Sequence, residues 1–285
     1  MGIATMGNPV GSSQRGSCVI TSMRWNGSVA IVTGASRGIG RAVARAASAR
    51  GARVGLVARQ QEALEEVLDE IGGRGAVAVA DVSSREQTER AVRHVEGILG
   101  PIDIVVANAG IGLYGAFVDS DPDDFQRLLG VNVLGTMYVL RAALPSMVER
   151  RRGHVVVVGS VAGRMAAPFE AVYSSTKFAQ TALAEALSVE LAAFDIGVSL
   201  VNPGVVETNF FEARGHSYDR SFPKLIGPEK VAHTVISAVE RGQREAFVPR
   251  WLRGADVVRH VAPFFYDPGT RRSFKTELEA FGQSR

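Results

Sequence analysis

The chain has 285 residues, of which 46% are hydrophobic and 21% charged, with a net charge of +3. That is an ordinary globular balance with enough apolar chain for one large core, and the small net charge does not by itself point to nucleic acid. No uninterrupted apolar run approaches the ~20 residues of a membrane-spanning helix, and a single cysteine, Cys18, excludes an internal disulfide and fits a reducing compartment.

Residues 1–24 are rich in Gly, Ser and Thr, contain no acid and show little hydrophobic periodicity, so they are expected to form a disordered extension, with Met23 a candidate true start. Their composition would also suit a transit peptide, but no amphipathic pattern accompanies it, and no apolar segment supports a signal peptide. A cytoplasmic location is expected. The 28 Arg against 4 Lys fit a genome-wide bias, yet the first acid is Glu62, after eight arginines. A basic N-terminal portion favours an anionic ligand, for which the phosphates of a nucleotide are the natural candidate.

From residue 25 short Val/Ile runs alternate with helical stretches. Val29–Val32, Val54–Val57, Ala76–Ala80, Ile104–Ala107, Val155–Val158, Val198–Val201 and Phe247-Val248 read as strands. Arg41–Arg50, Glu62–Ile71, Arg85–Leu99, a helix opened by the Asp121–Asp124 cap cluster and reaching Glu149, Val172–Phe194 and Pro228–Glu240 read as helices. Pro145 is expected to break or kink its helix near the end. Continuous apolar strands are buried on both faces, which means a parallel sheet. Right-handed crossovers make it a doubly wound α/β fold of about seven strands in one domain, residues 25–250, with ligands at the carboxyl ends of the strands.

At one such end lies T-G-A-S-R-G-I-G, Thr33–Gly40. Gly34, Gly38 and Gly40 allow a tight turn, close approach of a pyrophosphate and close helix–strand packing, with Ser36 and Ile39 beside the phosphates at the helix start. A tight turn that binds nothing is the plain alternative. The second strand ends on Arg59 and no acid stands there to take a ribose 2′-hydroxyl; with Arg37 in the loop, the pair favours a 2′-phosphate and hence NADP(H). Both arginines could instead be solvated. Asp81, followed by Val82, could receive the adenine amino group or cap the next helix. Asn108-Ala109-Gly110 could lie against the cofactor, or Asn108 could tie strands together. Tyr173 and Lys177 fall one helical turn apart, a spacing at which a cation lowers the Tyr pKa towards the working range, and Ser160 is placed to hold a substrate oxygen. Taken alone, Y-x-x-x-K is common on helix surfaces.

Together these segments, with Asn132 in G-V-N-V-L-G and P-G-V-V-E-T at 203–208, make the chain resemble the short-chain dehydrogenase/reductase superfamily over residues 29–248, a Rossmann-fold family. Ala107, where a second Asn is frequent, is a mild departure. The resemblance implies that Tyr173 exchanges the proton, Lys177 tunes it and holds the nicotinamide ribose, Ser160 steadies the reacting oxygen, and Asn132 holds a water linking Lys177 to solvent. It implies that Pro203, Gly204, Val206 and Thr208 line the nicotinamide end of the cofactor and that the protein is a homo-oligomer, dimer or tetramer. Without the family, Asn132 could simply bend or cap a helix.

Residues 209–226, with Phe210, Phe211, Tyr218 and Phe222, suit a mobile lid or a surface loop. Met165, Ala166, Ala167 and Phe169 point to an apolar cavity and so to a lipophilic carbonyl or alcohol. In the tail, 251–285, Trp251, Leu252, Ala255, Val258, Ala262 and Phe265 form an apolar stripe that Pro263 should interrupt, leaving Phe264-Phe265-Tyr266 as a separate patch. Such a segment could lie in a membrane interface, cover the substrate pocket or pack on a second subunit; packing within the protein is favoured over peripheral membrane contact through 251–275. No metal-ligand spacing is present. The expected activity is NADP(H)-dependent carbonyl reduction or its reverse; a 3-oxoacyl-thioester reductase and a catalytically idle NADP(H)-binding sensor or scaffold are the alternatives.

Overall fold

The computed structural model describes residues 22–216, 218 and 223–283, without the side chains of residues 263, 265 and 266. The expected extension up to residue 21, Cys18, Phe222 and the side chains of Phe265 and Tyr266 therefore lie outside the described residues.

Seven strands form one sheet, every neighbouring pair parallel. They are β1 (Val29–Thr33), β2 (Arg53–Ala58), β3 (Gly75–Val79), β4 (Ile104–Ala107), β5 (Gly153–Val158), β6 (Ile196–Pro203) and β7 (Glu245–Val248), in spatial order β3-β2-β1-β4-β5-β6-β7. Every residue of β1, β4 and β5 is buried, which is why these segments are apolar without alternation. One face carries α1 (Gly38–Ala49), α2 (Gln61–Glu70) and α8 (Pro228–Arg241). The other carries α3 (Arg85–Leu99), α5 (Gly135–Arg150) and α6 (Ala171–Glu190). Strand order reverses between β1 and β4, and the crevice at their carboxyl ends is where such sheets bind ligands.

Local chemistry sets several boundaries. The Ser84 hydroxyl caps α3 by accepting from the Gln87 amide at 3.3 Å. Asp121 caps α4 (Pro122–Leu128), its Oδ1 accepting from the Asp123 amide at 2.9 Å. Between α4 and α5 the chain stays helical but widens into a π turn, Leu129–Leu134, so one continuous helix runs from Pro122 to Arg150. Pro145 neither ends nor interrupts it: Ala143 and Met147 on either side are locked in the core, and packing outweighs the missing N–H. By length and composition this helix could cross a membrane. Arg127 and Arg141 break its apolar run, and Val139, Leu140, Ala143 and Met147 are buried in the sheet core.

Within 209–226 a short helix, α7 (Phe210–Ala213), precedes an isolated parallel bridge between Val206 and Ile226. Beyond β7 the described residues of the tail carry three helices, α9 (Leu252–Val261), α10 (Pro263–Ser273) and α11 (Lys275–Gln283). The expected break at Pro263 is present, with a new helix starting on that residue.

Candidate active site

One cavity of about 1700 Å³ occupies the crevice and takes lining residues from every segment singled out above. Its nucleotide end begins at the β1–α1 turn. Gly34 and Gly38 sit at φ +65° and +54°, a region that favours glycine, and a Cβ on Gly40 would stand 2.1 Å from the Gly34 carbonyl oxygen. No acidic residue occupies the first turn of α1, and no side chain caps it. The turn is therefore a cradle of backbone amides open to an anion, which fits the pyrophosphate of a dinucleotide. Arg37 and Arg59 line the same end and are exposed, without an ion-pair partner among the described residues. Two free guanidiniums there fit the extra phosphate of NADP(H).

Asp81 lines the cavity beside buried Val82. Its Oδ1 accepts from the Ser83 amide and hydroxyl at 2.9 and 2.7 Å, so it fixes the turn after β3 while Ser84 takes the cap. Asn108 ties strands and lines the cavity at once. Its Nδ2 donates to Thr33 O at 2.9 Å, and the Asn108 and Ala109 amides both donate to Thr33 Oγ1 at 3.0 Å. Ser36, Ile39, Gly110, Pro203, Gly204, Val206 and Thr208 also line it. A Cβ on Gly110 would meet Asn132 Oδ1 at 3.3 Å and Lys177 Nζ at 3.7 Å, so this loop passes close over both side chains.

Ser160, two residues beyond β5, opens a single 3-10 turn, Val161–Gly163, its Oγ accepting from the Ala162 amide at 3.1 Å. Across from it the first turns of α6 present Tyr173, 8% exposed, and Lys177, 4% exposed. The Ser160 hydroxyl is near enough to the Tyr173 phenol to favour its charged form. Lys177 Nζ lies 5.7 Å from the Tyr173 ring centroid and donates to Val158 O at 3.2 Å and Gln180 Oε1 at 2.8 Å.

Burial, more than Lys177, governs the phenol in this arrangement. It pushes Tyr173 well above the ordinary 10.0; the Glu170 charge adds to that, while the Ser160 hydroxyl and Arg214 pull it down. Burial likewise holds Lys177 down at about 7, against an ordinary 10.5. An ammonium charged only half the time near neutrality is a weaker neighbour than the full cation that the spacing alone suggests.

Asn132 sits fully buried in the π turn. Its Oδ1 accepts from the Ile111 amide at 2.8 Å, and its Nδ2 donates to Ile111 O at 2.9 Å and Thr176 Oγ1 at 3.0 Å. Its carbonyl accepts from Thr136 Oγ1 and Gln180 Nε2, both at 2.8 Å. The carboxamide of Gln180 bridges Asn132 O and Lys177 Nζ, at 2.8 Å to each. π turns are frequent at functional sites, and here the widening frees the carbonyl that anchors this network.

The substrate end is apolar. Met165, Ala166, Ala167, Phe210 and Phe211 line it, and the tail closes it with Trp251, Leu252, Val258 and Phe274. Phe169, in a left-handed conformation at φ +63°, joins this wall to the tail through Phe274 and Phe281, at 6.4 and 6.2 Å between ring centroids. Polar groups interrupt it: His216, Thr270, Ser273, Thr276 and Glu277 also line the cavity, and a charged pair stands in the wall. Arg214 bonds Glu170, with side-chain exposures of 5% and 16%, and lies over Tyr114 and Phe211 at 4.9 and 4.5 Å. Among the described residues no group of three or more His, Cys, Asp or Glu is placed to hold a metal ion.

Gln180 and the Glu170–Arg214 pair were not singled out as site residues from the sequence. Gln180 carried a usable signal, since three residues after Lys177 it shares that residue's helix face. The Glu170–Arg214 pair, 44 residues apart, carried none.

A family model described as short chain dehydrogenase matches residues 28–219. The chain is similar to dehydrogenase/reductase SDR family member 7B from Xenopus laevis, 31% identical over 89% of this chain and 84% of the relative. Among solved structures it resembles an alcohol dehydrogenase from the archaeon Thermococcus sibiricus complexed with 5-hydroxy-NADP: TM-score 0.70, 30% identity, covering 77% of this chain and 95% of the other. It also resembles 3-ketoacyl-(acyl-carrier-protein) reductase from Brucella melitensis complexed with NADH: TM-score 0.73, 28% identity, covering 78% and 96%.

Proposed function

The chain belongs to the short-chain dehydrogenase/reductase family of Rossmann-fold oxidoreductases, and from that premise we propose that it is an NADP(H)-dependent enzyme interconverting a lipophilic ketone or aldehyde with its alcohol. The observation that carries this reading is the convergence of Ser160, Tyr173 and Lys177 in the cavity that also holds the glycine cradle, next to an apolar wall. The nicotinamide, when bound, supplies or accepts the hydride. Tyr173 gives its proton to the carbonyl oxygen in reduction and takes one from the hydroxyl in oxidation. Ser160 steadies that oxygen by hydrogen bonding. Lys177, with two of its three donor hydrogens directed to Val158 and Gln180, keeps one for a ligand in the cavity.

NADP(H) over NAD(H) rests on Arg37 and Arg59, since the similar solved structures hold cofactors of both kinds. The lipophilic substrate rests on the wall of Met165, Phe210, Phe211, Trp251 and Phe274. A 3-oxoacyl-thioester reductase is the second reading, favoured by the similarity to a ketoacyl reductase. The intact Ser160, Tyr173 and Lys177 set argues against an idle sensor or scaffold. We also place the protein in the cytoplasm as a homo-oligomer; the tail's cavity-lining residues favour packing on the protein over contact with a membrane.

A panel of hydrophobic ketones, aldehydes and 3-oxoacyl thioesters, assayed with NADPH and with NADH, tests this. Turnover of simple lipophilic carbonyls, faster with NADPH, is the expected result. Turnover confined to thioesters would transfer the assignment to the second reading, and cofactor binding without any turnover would favour the idle one.

A further inference from the structure

Gln180 lies on α6 one turn beyond Lys177 and is 1% exposed, an unusual place for an uncharged polar side chain unless every polar atom is satisfied. All of them are. Its Oε1 accepts from Lys177 Nζ, and its Nε2 donates to Asn132 O and Thr136 Oγ1, each at 2.8 Å. The Thr136 hydroxyl spends its own hydrogen on Asn132 O, which leaves its lone pairs to receive Gln180. The amide therefore has one consistent orientation. Turned over, its NH₂ group would face an ammonium and its carbonyl oxygen would face the Asn132 carbonyl.

We propose that Gln180 is the positioning residue for Lys177, clamping the ammonium to the widened turn at Asn132 and thereby holding its remaining donor towards the reacting end of the cavity. This rests on the functional reading above for its purpose, but the clamp is a property of the fold itself. A carboxamide passes on no net proton, so the link orients and charges Lys177 rather than draining it. Accepting from Nζ favours the protonated amine, and burial opposes it. No charged group assists: the ammonium bonds Val158 O from β5 and Gln180 Oε1, and the titratable Tyr173 faces it from its own helix. Glu170 and Arg214 bear on Tyr173 rather than on Lys177.

The clamp is tested without turnover. Trace acetylation with acetic anhydride, followed across pH by mass spectrometry of the peptide carrying Lys177, reads the titration of that amine directly. In wild type the midpoint should lie near 7. Gln180→Met keeps the bulk and removes the acceptor, and should lower the midpoint by about one to two pH units. Gln180→Glu, which keeps an acceptor and adds negative charge, should raise it by about one unit or more, and it carries the test if the Met variant fails to fold. Midpoints that stay within 0.3 unit of wild type in the folded variants would overturn the proposal. The two readings fail separately. Shifted midpoints in a protein that turns over no carbonyl compound would leave the clamp standing and remove the activity; unshifted midpoints in an active reductase would do the reverse.

Discussion

Replacing Lys177 with Met should change stability in a way that depends on pH. The ammonium is held at about 7 in the fold and titrates at its ordinary 10.5 when the chain is unfolded. A lowered lysine pKa means that the unfolded chain binds more protons between those two values, so wild type gains stability as pH rises through that window. Below it the cost of burying the charged amine is complete, at most about 5 kcal/mol at roughly 1.4 kcal/mol per pH unit. Lys177→Met removes this cost but strands the Val158 and Gln180 oxygens, a loss of about 1–3 kcal/mol for each that does not vary with pH. The diagnostic quantity is thus the change in the difference between the two proteins. Relative to wild type, the variant should lose about 2 kcal/mol between pH 7 and pH 9. Urea unfolding of both proteins at pH 7, 8 and 9 measures it, and a difference that does not vary with pH would refute a depressed Lys177.

Two further substitutions probe the nucleotide end. Arg37→Ala combined with Arg59→Ala should weaken NADPH binding by about 100-fold while NADH binding changes less than about threefold, as two lost charge-assisted contacts require; equilibrium titration of both cofactors reads this, and an unchanged preference would remove the NADP(H) assignment. Gly40→Ala drives a Cβ to 2.1 Å from the Gly34 carbonyl, so α1 must move off β1. Thermal unfolding should show a loss of about 2 kcal/mol or more, accompanied by weaker binding of either cofactor, and a native Tm would show that the turn yields freely.

Elements whose stability comes from their own pattern were legible in the sequence. The strands at 29–33, 104–107 and 153–158 are buried on both faces, so the runs Val29–Val32, Ile104–Ala107 and Val155–Val158 are apolar without a break, and α3 ends at the Gly100-Pro101 stop. The Tyr173–Lys177 pair and the glycine turn were legible because their spacing is local: Tyr173 and Lys177 share a helix face, and Gly34, Gly38 and Gly40 share one turn. What escaped depends on contacts between distant segments. The π turn around Asn132 has no local signature, because it is held by Ile111, Thr176 and Gln180 from elsewhere in the chain. Gln180 shares the helix face of Lys177, but what its carboxamide bonds is unreadable until Asn132 and Thr136 are placed against it. Pro145 stays helical because Ala143 and Met147 anchor its turn. The expected tuning of Tyr173 by Lys177 counted the charge and omitted the burial that weakens it.

The central claim is that Tyr173 is the proton donor and acceptor for a carbonyl oxygen, and Tyr173→Phe isolates it, since the ring and its packing against Phe210 remain while the hydroxyl is lost. On any carbonyl substrate that the wild type reduces with NADPH, turnover should fall by about 10³-fold or more while the NADPH dissociation constant stays within about threefold. Turnover that survives loss of the phenol would contradict the account.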